Sequence, residues 1–80
     1  MNINNEQLYA TSDFPLVASL SLFVPIIRLD ASNAGRVEFY FEQTEQLTAL
    51  MNDYWNGTLR VEPKQFFNQI KTIKSRIYGT

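Results

Sequence analysis

The fold is decided by the stretch from Val24 to Glu42, which reads VPIIRLDASNAGRVEFYFE. Its first part, Val24 to Asp30, is rich in branched apolar residues, and its last part, Arg36 to Glu42, alternates apolar with polar residues. Both patterns are typical of β-strands. Between them, Ala31 to Gly35 contains Asn and Gly, which accept the left-handed backbone of a five-residue hairpin loop. The stretch therefore predicts an antiparallel β-hairpin.

The charges and apolar residues of this hairpin also predict its register. Five cross-strand pairs are expected: Asp30 with Arg36, Leu29 with Val37, Arg28 with Glu38, Ile27 with Phe39, and Ile26 with Tyr40. This register separates the core face from a charged face, whereas a slip by one residue would mix the two. The four charged residues are then two solvated ion pairs, and we favour this interpretation over an active site.

The segment before the hairpin predicts a strand and a helix. Leu8 to Thr11 is expected as a short strand. Ser12 or Asp13 can cap the helix, because its side-chain oxygen accepts from free backbone N–H groups, and Pro15 is tolerated in the first turn. Pro25 is expected to end this helix. Its apolar residues recur at helical spacing, namely Leu16, Val17, Leu20 and Phe23.

The segment after the hairpin predicts two more helices. Thr44 is expected to cap the first and Asn56-Gly57 to end it, while Pro63 begins the second and Gly79 ends it. Their apolar stripes are Leu47, Leu50, Met51 and Tyr54, and then Phe66, Ile70, Ile73 and Ile77. The predicted fold is therefore α+β, in the order β-α-β-β-α-α, with the helices on one side of a mostly antiparallel three-stranded sheet.

Composition limits the chemistry that this chain can perform. It has 80 residues with no histidine and no cysteine, the side chains that most often shuttle protons, hold metals or act as nucleophiles. Glu38 and Glu42 share a strand face, but without further oxygen ligands they do not predict a metal site. We therefore expect no enzyme, no metal, no cofactor and no small-molecule substrate.

Length and hydropathy suggest a single cytoplasmic domain. We expect residues 1–80 to form one domain, in which residues 1–7 are a loose N-terminal tail because they carry three asparagines and few apolar groups. The apolar stretch from Phe14 to Ile27 is interrupted by Pro25 and is shorter than a membrane span, so no membrane partner is expected.

Four motifs resemble a known family when they are taken in order. They are Y-A-T-S-D from Tyr9 to Asp13, R-V-E-F-Y-F from Arg36 to Phe41, Y-W-N-G from Tyr54 to Gly57, and the ending from Phe66 to Tyr78. Together they resemble a small bacterial and phage-associated family known only as a domain of unknown function. The resemblance covers nearly the whole chain and implies a stand-alone, non-enzymatic domain. It brings no catalytic or binding residues with it.

The leading functional hypothesis is a non-catalytic domain for protein interaction or self-association. On the predicted register, Val24, Ile26 and Tyr40 form an apolar end of the outer hairpin face, and Trp55 is a further candidate interface residue. Two structural alternatives stay open: Tyr40 can simply pair with Ile26, and Trp55 can pack over the segment from Leu59 to Val61.

The alternative hypothesis is a nucleic-acid-binding accessory protein that uses the last helix. Residues 60–80 hold five cations against Glu62, a net charge of +4, although the whole chain carries −1. Basic and aromatic residues share one predicted stripe: Lys64, Phe67, Lys71, Lys74 and Tyr78. Such residues can meet phosphates and stack on unpaired bases. The structural alternative is that Phe67 packs at the edge of the core under the stems of the lysines.

Overall fold

A computed structural model describes residues 7–33 and 35–79 of the chain. The described residues form three strands and three helices: β1 (Leu8–Thr11), α1 (Phe14–Leu20), β2 (Arg28–Asn33), β3 (Arg36–Glu42), α2 (Glu45–Asn56) and α3 (Pro63–Tyr78). The α+β class and the order β-α-β-β-α-α are thus confirmed. Of the predicted tail, residues 1–6 lie outside the described residues, and the carbonyl of Gln7 accepts a 2.7 Å hydrogen bond from the Gln43 N–H.

The predicted helix caps are confirmed. The Asp13 side chain accepts from the Leu16 N–H at 3.2 Å, and the Thr44 hydroxyl accepts from the Leu47 N–H at 3.0 Å. Each such cap stabilises a helix by about 1 kcal/mol because it satisfies a backbone donor that has no partner within the helix. Gly57 ends α2 with a φ of 75°, a left-handed conformation that favours glycine.

The segment between α1 and β2 differs from the prediction. Helix α1 ends at Leu20, before Phe23, and β2 begins at Arg28, four residues after Val24. Pro25 explains the later start of β2, because it has no N–H to donate to a strand ladder, and it prevents the turns that follow α1 from continuing past Val24. Val24 instead closes a turn, donating its N–H to the Leu20 carbonyl at 3.0 Å.

The sheet places β3 in the centre, in the order β1-β3-β2, with both pairs antiparallel. The predicted hairpin register was wrong by two residues: Arg28 lies opposite Tyr40, Leu29 opposite Phe39, and Asp30 opposite Glu38. The hairpin extends further than expected, with an irregularity between Asp30 and Asn33, and Asn33 lies opposite Arg36. A local hydrogen bond accompanies this irregularity, since the Asp30 carboxylate accepts from the Ser32 N–H at 2.9 Å, and such local bonds compete with regular strand pairing.

The shift removes both predicted cross-strand ion pairs. Asp30 faces the like charge of Glu38, and Arg28 lies with its guanidinium 4.2 Å from the centroid of the Tyr40 ring. Arg36 pairs with Glu38 of its own strand at 3.9 Å. A shift of two residues keeps the side chains of the paired strands on their faces, so the predicted core face is confirmed for Leu29, Val37 and Phe39. It was wrong before the start of β2, where Ile27 is 50% exposed and Ile26, expected on the outer face, packs against the core.

The core lies between the sheet and the helices. Its fully buried large side chains are Phe39, Phe41, Leu16, Leu20, Leu47, Ile73 and Val17. Phe39 and Phe41 point from the central strand towards the helices, and α1 packs against both α2 and α3. Tyr40, between them in sequence, lies on the opposite face of the sheet with Ala10 and Arg28 beside it. Within residues 7–33 and 35–79, every helix is too short or too polar to span a membrane.

Candidate functional site

Helix α3 carries the candidate binding surface on one of its sides. Glu62 caps the helix by accepting from the Gln65 N–H at 2.8 Å, and Pro63 occupies the first turn. Ile73 is buried, and Phe66, Ile70 and Ile77 pack against the core as predicted. This apolar stripe fixes the rotation of α3, and it therefore decides which of its side chains reach solvent.

The predicted basic and aromatic residues all lie on the exposed side of α3. We call this set the basic–aromatic face: Lys64, Phe67, Lys71, Lys74 and Tyr78. The rings of this face stay accessible, since Phe67 is 58% exposed and Tyr78 is 71% exposed. The Lys71 ammonium lies 5.0 Å from the centroid of the Phe67 ring. More than half of Phe67 is thus open to solvent, while the lysine lying over its ring is a feature of the structural alternative, in which Phe67 packs at the edge of the core.

A groove adjoins the C-terminal end of this face. It has a volume of about 330 Å³ and lies where α3 meets the start of β3 and the end of β1. We call it the hairpin groove; its lining includes Ser12, Phe14, Arg36, Val37, Lys74 and Tyr78. A second depression continues from it past Ala31 and Ile77. Two cations and an aromatic ring therefore border a largely apolar recess.

The Ser12 hydroxyl is the unusual polar group of this groove. Its Oγ is shielded from solvent and has no hydrogen-bond partner within the described part of the chain. A buried hydroxyl without a partner costs about 1–3 kcal/mol. Because this oxygen is shielded from solvent, it lies beneath the surface of the groove and is not presented to a ligand there.

A comparison with protein-family models identifies the family of the chain. The model described as "Domain of unknown function (DUF5659)" matches residues 6–79. The chain belongs to the DUF5659 family. No curated protein and no solved structure matches it. The resemblance inferred from the four motifs to a small domain of unknown function is thus confirmed at the level of the family.

The DUF5659 fold does not bring the predicted protein-interface residues together. Val24 and Ile26 are half-buried and pack against the core, so the predicted pairing of Ile26 with Tyr40 was wrong. Tyr40 lies on the opposite face of the sheet under Arg28. Trp55 is 63% exposed, with its ring edge-on to Tyr54 at a centroid distance of 5.0 Å. Most of Trp55 is therefore accessible to a partner.

Two titratable groups of the DUF5659 domain have shifted pKa values. The backbone N–H of Ser32, followed by its side chain, lowers the pKa of Asp30 below its ordinary value. Burial, and then the charge of Asp13, raise the pKa of Tyr54. Both shifts are explained by local structure, and neither group borders the hairpin groove. Within residues 7–33 and 35–79, no cluster of three or more acidic residues is arranged to hold a metal ion.

Sequence reasoning missed the contribution of Arg36 and Ser12 to the groove. Both are far from α3 in sequence, and they reach Lys74 and Tyr78 only because the hairpin folds against the end of that helix. The alternation of β3 assigns Arg36 to the outer face, but at the first residue of a strand a long side chain can extend around the edge of the sheet. No local pattern marks this contact.

Proposed function

We propose that this domain is a non-catalytic binding protein for single-stranded nucleic acid, and that it binds through the basic–aromatic face of α3. The observation that carries the proposal is the exposure of Phe67 and Tyr78 beside the lysines of the same stripe. Apolar rings in a small domain are normally buried, because burial of such a ring stabilises the fold. Two rings left in solvent among cations are therefore available for a ligand.

The spacing of the face suits a flexible polyanion. From Lys64 to Tyr78 the helix rises about 21 Å, and the five residues fall within a sector of about 80° at about 100° per residue. Lysine side chains neutralise phosphates without reading sequence. Each base that stacks on an aromatic ring adds about 1–3 kcal/mol. Lys71 lies over the Phe67 ring, so a base would stack by displacing this lysine or by using the other face of the ring, and a cation would be close to its phosphate.

The uneven distribution of charge supports the same surface. Five of the seven cations of the chain lie in residues 60–80, while Glu38, Glu42, Glu45 and Asp53 lie before them. A chain with a net charge of −1 is not a general binder of polyanions, but a local cluster of cations still attracts phosphates. Binding is therefore expected to be moderate in affinity, sensitive to salt and confined to α3.

The proposal is tested by fluorescence anisotropy with a labelled oligothymidine at low salt. The Lys71→Gln, Lys74→Gln double variant removes two cations from the face, and the Arg60→Gln, Arg76→Gln double variant removes two cations outside it. We expect the first to weaken binding by about a hundredfold or more, since charged hydrogen bonds contribute about 1.5–3 kcal/mol each, and the second to weaken it far less. Absence of binding by the unmodified chain, or equal effects of the two variants, would contradict the proposal.

A protein partner at Trp55 is the second candidate function. Its support is the 63% exposure of this ring, because tryptophan is enriched at the centres of protein interfaces. For self-association, light scattering behind size exclusion would give a mass that rises with concentration for the unmodified chain and stays monomeric for Trp55→Ala. Tyr40→Ala, on the opposite face of the sheet, serves as the control. A mass that stays monomeric at every concentration would contradict self-association.

A further inference from the structure

The hairpin groove combines features that the basic–aromatic face alone does not have. It is a recess of about 330 Å³, near the lower end of the volumes of small-ligand sites, which run from about 300 to 1,000 Å³. Its walls come from the end of β1, the start of β3 and the last turns of α3. A ligand held there would contact three parts of the chain that are distant in sequence, around Ser12, Arg36 and Lys74.

The two cations of the groove come from different elements. Lys74 projects from α3, and Arg36 begins β3. Arg36 contacts Glu38 at 3.9 Å, but with side chains 61% and 39% exposed this ion pair is weak. A phosphate in the groove can therefore compete with Glu38 for Arg36, and Lys74 lines the same recess. The planar guanidinium suits two oxygens of one phosphate.

The rest of the lining is suited to a flat ring. Val37 and Ile77 provide apolar walls, and Tyr78 stands at the rim with 71% of its surface exposed. A flat ring that carries a phosphate matches this set of groups. A single nucleotide contains both of these parts.

We infer that the hairpin groove binds a single nucleotide unit, with its phosphate between Arg36 and Lys74 and its base against Tyr78. The unit is either a free mononucleotide or the phosphorylated end of a strand lying on the basic–aromatic face, and this second form rests on the proposed function. The groove then sets where a bound strand ends, while Lys64 and Phe67 at the other end of α3 contact nucleotides further along.

The test is a set of NMR titrations of the labelled, full-length chain. The probes are thymidine 5′-monophosphate, inorganic phosphate, and oligothymidine with or without a 5′-phosphate. Amide signals of Gly35, Ile77 and Tyr78 report on the groove, and those of Lys64 and Phe67 report on the far end of the face. Lys74→Gln is compared with Lys64→Gln and Arg76→Gln, which remove the same charge from α3 outside the groove.

The inference predicts that the mononucleotide shifts the groove signals, and that Lys74→Gln weakens this binding about tenfold while Lys64→Gln and Arg76→Gln leave it unchanged. Oligothymidine with a 5′-phosphate should bind more tightly than oligothymidine without one. If oligonucleotides bind but the mononucleotide does not, and the 5′-phosphate has no effect, the groove inference is overturned and the proposed function stands.

Two further outcomes separate the two proposals. Mononucleotide binding without oligonucleotide binding would support the groove as a site for free nucleotides and would overturn the proposed function. Inorganic phosphate that binds as tightly as the mononucleotide would overturn the groove inference, because the base would then contribute nothing. Since Lys64, Lys74 and Arg76 are all exposed, none of these substitutions is expected to unfold the chain.

Discussion

At the scale of the residue, the same side chain has opposite roles at two places in this chain. Phe41 is 0% exposed in the centre of the core, whereas Phe67 is 58% exposed on α3. Hydrophobicity alone cannot separate them. The spacing of apolar residues does distinguish them. Phe41 lies on the apolar side of the alternation in β3, whereas Phe67 lies next to, and not on, the i, i+4, i+7, i+11 apolar stripe of α3.

Alanine substitutions at these two phenylalanines are expected to have opposite effects on stability and on binding. Phe41→Ala should lower the free energy of unfolding by about 3–5 kcal/mol, because it removes a buried ring and leaves a cavity. Phe67→Ala should change it by less than about 0.5 kcal/mol, yet weaken oligonucleotide binding by about 1–3 kcal/mol through loss of stacking. Chemical denaturation and anisotropy measure the two quantities. A Phe67→Ala variant with lower stability and unchanged binding would assign this ring to the fold instead.

At the scale of the element, the sequence predicts what is local and fails where distant residues compete. Caps such as Asp13 and Thr44, and the core stripe of α3, follow from neighbouring residues, and the structure confirms them. The hairpin register was predicted from cross-strand ion pairs, which contribute only about 0–1 kcal/mol each when solvated and so cannot determine it. The Asp30–Ser32 hydrogen bond and the left-handed turn at Gly35 are local features of the hairpin that the prediction did not include.

The turn of the hairpin carries a second prediction. Gly35 has a φ of +76°, and a Cβ built on it would meet no atom within 4 Å. Gly35→Ala should therefore destabilise the fold by about 1–2 kcal/mol through backbone conformation alone, without a clash. Gly35→Asn should cost less, because asparagine tolerates the left-handed region better. Thermal unfolding compares the two variants, and equal stability of Gly35→Ala and the unmodified chain would contradict this description of the turn.

At the scale of the whole molecule, the sequence reveals the basic–aromatic face but not the groove beside it. The face is a property of one helix and can be projected from spacing. The groove needs Arg36 of the hairpin, Ser12 after β1 and Lys74 of α3 to meet, and only the packed structure shows that. The predicted grouping of Val24 and Ile26 with Tyr40 also depends on packing, because β2 begins only at Arg28 and both residues before it pack against the core.

The most direct test of nucleic-acid binding by α3 is the salt dependence of oligothymidine affinity. A plot of the logarithm of the association constant against that of the salt concentration has a slope of about −0.7 for each phosphate that a cation neutralises on a single strand. If α3 binds the strand through this face, the Lys71→Gln, Lys74→Gln double variant should have a slope that is less steep by about 1.4. The Arg60→Gln, Arg76→Gln double variant should have an unchanged slope. A slope that is the same for both double variants would contradict binding at this face.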